Sequence, residues 1–354
     1  MMVDKSLPNS DRSNMYEKIV NFPGQLGEGA KIGGAVDLKG LAGQQFKNIV
    51  LAGMGGSAIG GDLLRSYLQF ELRQPFVIHR NYGLPAYIDK DSLVICSSYS
   101  GTTEETLSAF EAALKKKASI LCISTGGELA RLADKHELPL IRIPGGLMPR
   151  AALGYSFGPL LIAFGKLGLC PDHSTDLEKC RRSLENWLGQ YRFEAAVNPA
   201  AKLAEKLAGK IVVIYSGPER YDVVGQRFKG QICENAKQLA FCNVFPEFNH
   251  NELVGWELAE QYAGKLICIM LRDREDHPRI SRRMKIVGEV ITRIKVETIE
   301  LESSGDDVLS RMFSLIQLGD FASYYLALKN GVDPTPINVI DYLKKSLAED
   351  GQNR

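Results

Sequence analysis

The feature that most limits how this chain can fold is a repeated rhythm. A short apolar run leads into a loop rich in Gly or Ser, and then into an amphipathic helical stretch. Lys47–Leu51 (KNIVL) is followed by AGMGGSAIGGD and a helical pattern through Leu68. Pro75–His79 is a second apolar run. Ser92–Cys96 is a third, leading through SSYSGTTEET into a helix to Lys117. Ala118–Ile123 and Leu138–Ile143 are the fourth and fifth, with GGELARLADKH as the helix between them. Such short strands alternating with helices predict an α/β fold, with a mostly parallel sheet flanked by helices. PGGLMPR (144–150) breaks the rhythm, and residues 151–208 read as mostly helical with an interruption at Cys170–Ser174. The pattern restarts at Gly209–Tyr215, passes the loop SGPERYD and a helix over Val223–Leu239, and continues with strands at Lys265–Leu271 and Val296–Leu301. Helices over Arg311–Lys329 and Ile340–Leu347 complete it.

The expected organisation is therefore a lead-in over 1–45, a first α/β unit over 46–165, a helical connection over 166–208, a second unit over 209–330, and a C-terminal segment over 331–354. The two units look like a weak internal duplication. The lead-in is polar and Gly-rich, with helical pattern only around Tyr16–Val20. At roughly 150 residues per domain, 354 residues fit two domains. A chain of this size buries a core without disulfide or metal staples. Its net charge of +1 gives no electrostatic footprint for nucleic acid or an anionic membrane. Seven cysteines, an odd number with no CxxC pair, argue for reduced thiols and a cytoplasmic setting. The N-terminus has no apolar signal-peptide core. Ala151–Leu169, the most apolar stretch, holds Lys166 and Pro159 and predicts a buried helix rather than a membrane span. The five histidines lack HExxH spacing, so no metal site is expected.

Chemistry concentrates in two loops. Gly53-Met54-Gly55-Gly56-Ser57-Ala58 matches GxGxxA after a strand, the loose dinucleotide fingerprint. The next strand ends at Arg80 rather than an acid, which would suit a 2′-phosphate. A different phosphate ligand, or a tight turn with no ligand, fits the loop as well. The third strand runs into Ser97-Ser98-Tyr99-Ser100-Gly101-Thr102-Thr103, with more hydroxyls than one helix cap needs. Hydroxyls and free N–H groups at a helix N-terminus suit a phosphate monoester.

In the second half, RFKGQICENAK places Val224, Phe228, Ile232 and Asn235 on one helix face, with Glu234 on its flank. Gly230, one turn before Glu234, leaves room for a ligand. A solvated helix carboxylate is the plainer alternative. In the loop PEFNHNE, His250 stands among Asn249, Asn251 and two acids. Such partners hold an imidazole in one tautomer for acid–base work, although a structural histidine fits too.

GGSAIGGD followed by SSYSGTTEET resembles the sugar isomerase (SIS) domain, whose Ser/Thr loop binds phosphosugars. ENAK and PEFNHNE, in that order, resemble the bifunctional phosphoglucose/phosphomannose isomerases, over about residues 45–350. The resemblance implies two SIS-type domains and an aldose–ketose isomerase that uses no cofactor or metal. It acts on glucose 6-phosphate, fructose 6-phosphate and mannose 6-phosphate through ring opening and a cis-enediolate. It implies Glu234 as the base moving a proton between C1 and C2, and His250 as the ring-opening group, contributed by the partner subunit of a homodimer. It implies Arg150 as the group steadying the enediolate and Lys344 as the lysine near the C-terminus, next to Lys345. Gly56, Ser57, Ser98, Ser100 and Thr103 would contact phosphate and sugar. Thr335, a small hydroxyl, would lie near C2.

Rival readings are a phosphosugar-sensing SIS regulator and an NADP-dependent oxidoreductase resting on GxGxxA. The first would need an effector module, and no basic recognition helix is seen. A glutamine-dependent aminotransferase would need an N-terminal cysteine, whereas the first is Cys96.

Overall fold

The computed structural model describes residues 10–38 and 40–352. Two helices open the described chain, α1 (Met15–Val20) and α2 (Phe22–Ala35). The first α/β unit runs β1 (Asn48–Gly53), α3 (Gly55–Leu68), β2 (Phe76–His79), β3 (Ser92–Ser97), α4 (Glu104–Lys115), β4 (Ser119–Ser124), α5 (Gly127–Lys135) and β5 (Leu140–Arg142). Three helices follow: α6 (Leu153–Lys166), α7 (Ser174–Tyr191) and α8 (Pro199–Leu207). The second unit begins with β6 (Ile211–Ser216), α9 (Tyr221–Ala236), β7 (Ala240–Val244) and the single turn α10 (Glu252–Gly255). It continues with β8 (Leu266–Arg272), α11 (Pro278–Arg293), β9 (Glu297–Glu302) and α12 (Val308–Lys329), and α13 (Asn338–Gln352) follows.

Both sheets are parallel throughout. The first has strand order β2-β1-β3-β4-β5 and the second β7-β6-β8-β9. Strand order reverses between β1 and β3, and again between β6 and β8. In open parallel sheets such reversals leave a crevice beyond the carboxyl ends of the strands, where ligands bind. In the first sheet Gly53 lies opposite Ser97, so the two chemistry-bearing loops leave the sheet side by side at its crevice.

Helices α2, α6, α7 and α12 contribute to one continuous apolar core that reaches both sheets. Nearly every residue of α12 from Leu309 to Leu328 is buried, as befits a helix that is apolar around most of its circumference. Within the lead-in, helix extends well beyond the expected Tyr16–Val20, over Met15–Val20 and Phe22–Ala35. In α2, a Cβ at Gly29 would come within 2.7 Å of the Gly154 carbonyl, and one at Gly33 within 2.6 Å of the Pro159 carbonyl. These glycines read as loop composition, but they let α2 lie close against α6. The edge strand β7 also went unanticipated, because AFCNV is short and only Ala240 of it is buried. The α9 helix stops at Ala236 rather than Leu239, since Lys237 turns left-handed with φ 54°. α13 is longer than the expected Ile340–Leu347. All seven cysteines are free thiols. No described helix is long and apolar enough to cross a membrane.

Candidate active site

The first crevice is lined by two uncapped helix starts. Neither α3 nor α4 has a side-chain hydrogen bond at its N-cap, so their leading N–H groups stay open to an anion. Gly55 enters α3 at φ +49°. A Cβ on Gly56 would lie 2.6 Å from the Pro149 carbonyl and 3.0 Å from the Arg150 nitrogen, so only glycine lets this loop touch the 149–150 turn.

Ser57 and Ser98 lie underneath the loops. Ser57 Oγ accepts from the Tyr99 N–H at 2.9 Å, and the Ser97 hydroxyl donates to the Ser57 carbonyl at 3.0 Å. Ser98 Oγ is 2.9 Å from Thr103 Oγ1 and accepts from the Gly101 N–H at 3.0 Å. Ser100 and Thr102 form the exposed rim, their hydroxyls 3.0 Å apart. Tyr99 braces the neighbouring 144–147 loop by donating to the Pro144 carbonyl and accepting from the Leu147 N–H.

Arg150 joins the two halves of the molecule. Its side chain is 4% exposed, and every nitrogen is directed. Nε donates to Asn235 Oδ1 at 2.7 Å. Nη2 donates to the carbonyls of Pro334 and Thr335 at 2.7 and 2.8 Å. Nη1 reaches Glu234 Oε2 at 3.3 Å, and Glu234 keeps 34% of its side chain exposed. Burial pulls the Arg150 pKa below its ordinary value, while the Glu234 charge opposes that pull. A Cβ at Gly230, one turn before Glu234, would stand in open space. The Gly56 loop, the Ser98–Thr103 loop, Arg150 and Glu234 are thus joined by direct contacts, although they come from four separate parts of the sequence.

His250 lies apart from these residues. The Cys242 thiol donates to Gln226 Oε1, and the Cys233 thiol donates to the Ala240 carbonyl, so α9 runs antiparallel to β7. Glu234 therefore lies by the start of β7, and His250 lies beyond its end. A five-residue strand adds a separation of ~13 Å. His250 is exposed at the tip of a rigid loop. Phe248 stacks on Tyr215 at 4.1 Å, and Glu252 accepts from both Tyr215 and Asn243. Lys344 lies exposed on α13, beside Lys345, which pairs with Glu349.

Two residues near Glu234 carried weak or no sequence signal. Lys237 folds its ammonium onto the carbonyls of Glu234 at 2.6 Å and Pro334 at 3.1 Å. Partial burial and the Arg150 charge push its pKa down to about 8. The ENAK string contains Lys237, but nothing in its spacing shows that it caps α9. Thr335 lies at the Arg150 junction through its carbonyl, and its buried Oγ1 has no hydrogen-bond partner among the described residues. Arg80, the residue that kept a nucleotide 2′-phosphate in play, is instead engaged by Asp62 of α3. Among the described residues no group of three His, Cys, Asp or Glu side chains is placed to hold a metal.

Two parallel sheets, a hydroxyl-lined crevice in the first and an Arg–Glu junction to the second define a two-SIS-domain protein of the phosphosugar class. The SIS domain model matches residues 44–140, and the model of the bacterial phospho-glucose isomerase C-terminal SIS domain matches residues 196–347. The chain belongs to the bifunctional phosphoglucose/phosphomannose isomerase family. It is 44% identical to the bifunctional phosphoglucose/phosphomannose isomerase of Caldicellulosiruptor bescii, over 95% of this chain and 99% of that one. It is 34% identical to the Aquifex aeolicus protein of that name, over 85% of this chain and 91% of the relative. Among solved structures, the tagatose-6-phosphate ketose/aldose isomerase of Escherichia coli superposes with a TM-score of 0.70 at 15% identity. That match covers 90% of this chain and 94% of the other, and it shows a shared fold.

Proposed function

We propose that this chain interconverts glucose 6-phosphate and fructose 6-phosphate, and also mannose 6-phosphate with fructose 6-phosphate. The observation that carries the reading is the Arg150–Glu234 contact at 3.3 Å, set directly behind the Gly56 loop. The phosphate would rest on the α3 and α4 N-termini, with Gly56, Ser57, Ser98, Ser100 and Thr103 supplying N–H groups and hydroxyls. Held there, the sugar would present C1 and C2 to Glu234, and binding energy at the phosphate would be used for orientation.

Opening the cyclic hemiacetal needs an acid and a base at the ring. That role falls to His250 of the partner subunit in a homodimer, because a chain's own His250 and Glu234 lie at opposite ends of β7. Glu234 then takes the C2 proton of an aldose and returns it to C1. The negative charge that develops on the enediolate faces the Arg150 guanidinium, which is planar and permanently charged. Lys344 would join the site from α13. Thr335 offers its unpartnered hydroxyl for choosing between the C2 epimers. Such an enzyme would work in the cytoplasm, at the entry to glycolysis and in gluconeogenesis.

The test is fructose 6-phosphate with the purified chain in D2O and excess chelator, followed by proton NMR. Glucose 6-phosphate and mannose 6-phosphate carrying deuterium at C2 support the reading. Binding without turnover would favour a phosphosugar sensor. Mixing separately inactive Glu234→Gln and His250→Asn chains tests the shared site. Recovered activity supports it, and none overturns it.

A further inference from the structure

We propose that Asp320 is a positioning residue that sets the orientation of the Arg150 guanidinium against Glu234; this rests on the isomerase reading. Asp320 lies inside the contact between α12 and α9. Its carboxylate accepts from Arg227 Nη2 at 2.6 Å and from Gln231 Nε2 at 2.8 Å. The same Arg227 Nη2 donates to the Arg150 carbonyl at 3.1 Å, so one route runs from Asp320 to the Arg150 main chain. A second route runs to its side chain. Ser323 Oγ donates to the Asp320 carbonyl at 2.8 Å and accepts from Asn235 Nδ2 at 2.9 Å, while Asn235 Oδ1 receives Arg150 Nε at 2.7 Å. The two routes close a ring through Asp320, Arg227, Arg150, Asn235 and Ser323. No member is more than 5% exposed.

The ring fixes the guanidinium from its backbone carbonyl and from Nε, and the Pro334 and Thr335 carbonyls hold Nη2. Only Nη1 is left to face Glu234. A buried ion pair adds little stability over apolar side chains of similar volume. The Arg227–Asp320 pair is therefore better explained by what it orients than by what it stabilises. Gln231 is also one turn before Glu234 on α9, so Asp320 grips the helix that carries the base. No ring member other than Arg150 contacts the reacting atoms in this reading.

The experiment compares wild type with Asp320→Asn, Arg227→Lys and Ser323→Ala. Ser323→Ala leaves no buried charge unpaired, so it keeps the test alive if Asp320→Asn fails to fold. A tilted guanidinium should cost kcat about tenfold to 10²-fold, with KM for fructose 6-phosphate unchanged within about twofold, because a small misplacement acts on the transition state. A phosphorylated sugar hydroxamate, whose planar O–C–N–O group copies the enediolate, should lose affinity by the same factor in calorimetry. Fructose 6-phosphate itself should not. Unchanged kcat and hydroxamate affinity with only a lower Tm would reduce the ring to a structural device. A rise in KM alone would also overturn the proposal. An inactive wild type would refute the isomerase reading, whereas the ratio of hydroxamate to fructose 6-phosphate affinities would still report on the ring.

Discussion

The two sheets repeat one topology and use it in opposite ways. At the first reversal of strand order, between β1 and β3, the loops offer hydroxyls, glycines and uncapped helix ends. At the second, between β6 and β8, the chain fills the same place with its own charges. Asp273 accepts from Arg311 Nε at 2.9 Å and also from Tyr221 and Ser303. Arg311 Nη2 lies 2.6 Å from Glu275 Oε1, and Arg220 holds the other oxygen at 2.7 Å. Arg311 and Asp273 are each 2% exposed at their side chains. An internal carboxylate, Asp273, thus fills the second reversal of strand order. Arg311 lies in the first turn of α12, and Asp320 lies nine residues further along. The closed crevice is therefore the foot of the helix that supports the open one.

The largest expected effect separates chemistry from cradle. Glu234→Gln removes the base but none of the phosphate contacts. Turnover should fall on the order of 10³-fold, with fructose 6-phosphate affinity held within a few-fold in calorimetry. Undiminished turnover would remove Glu234 from the mechanism. Next comes a matched pair of glycines. Gly56→Ala drives a Cβ into the backbone of the Arg150 turn, and kcat/KM should drop about 10²-fold. Gly217→Ala, in the second crevice, meets the end of the Asp276 side chain at 3.1 Å and otherwise only ordinary contacts with Ile280 and Met284. It should leave kcat/KM within about twofold, because that crevice is filled by the Arg311–Asp273–Glu275 charges. Equal losses would erase the distinction between the two crevices.

Much of this contrast is legible in the residues, and the illegible part has physical causes. The apolar runs that became β1, β3, β4, β6 and β8 are buried on both faces, so they read as continuous hydrophobic strings. β7 is a half-exposed edge, and α2 is helical despite its glycines because α6 lies so close; in both, tertiary context overrides the local signal. The Gly56–Ser57 and Ser98–Thr103 loops announce themselves, since dense hydroxyls after a strand have few structural uses. The Arg150–Glu234 contact spans 84 positions, and no local pattern encodes it; the family resemblance alone pointed to it. Asp320 and Arg227 read as ordinary helix charges. Their burial appears only when α12 is laid along α9.

The second crevice should reveal itself in stability rather than rate. Arg311→Met leaves Asp273 and Glu275 without their shared guanidinium and should cost about 3 kcal/mol, read from urea unfolding. Turnover per folded molecule should be unaltered. A fall in kcat with unchanged stability would make this crevice part of the active site. Acid provides the same test without mutation. Burial alone would raise the Asp273 pKa, but Ser303, Tyr221 and Arg311 outweigh it and hold the carboxyl below its usual 3.8. A depressed carboxylate stabilises the fold above pH 3.8, and that contribution is lost as pH falls through the folded value. The wild-type stability curve should therefore drop more steeply below pH 3.8 than that of Asp273→Asn.

The smallest effects compare hydroxyl with hydroxyl. Ser100 lies on the open rim and bonds Thr102, whereas Ser303 lies in the closed crevice and bonds Asp273. Ser100→Ala removes a donor that a bound phosphate would use, so KM should rise about fivefold, equivalent to ~1 kcal/mol, with Tm unmoved. Ser303→Ala removes one support of a buried carboxylate that keeps three others, from Arg311, Tyr221 and the Glu275 N–H. Stability should fall by about 1 kcal/mol while KM and kcat stay at wild-type values. The pair exchanges its readouts: one change is visible only in binding, the other only in unfolding. If Ser303→Ala also raised KM, the closed crevice would have to open during turnover, and the division of labour between the two domains would be one of time rather than of place.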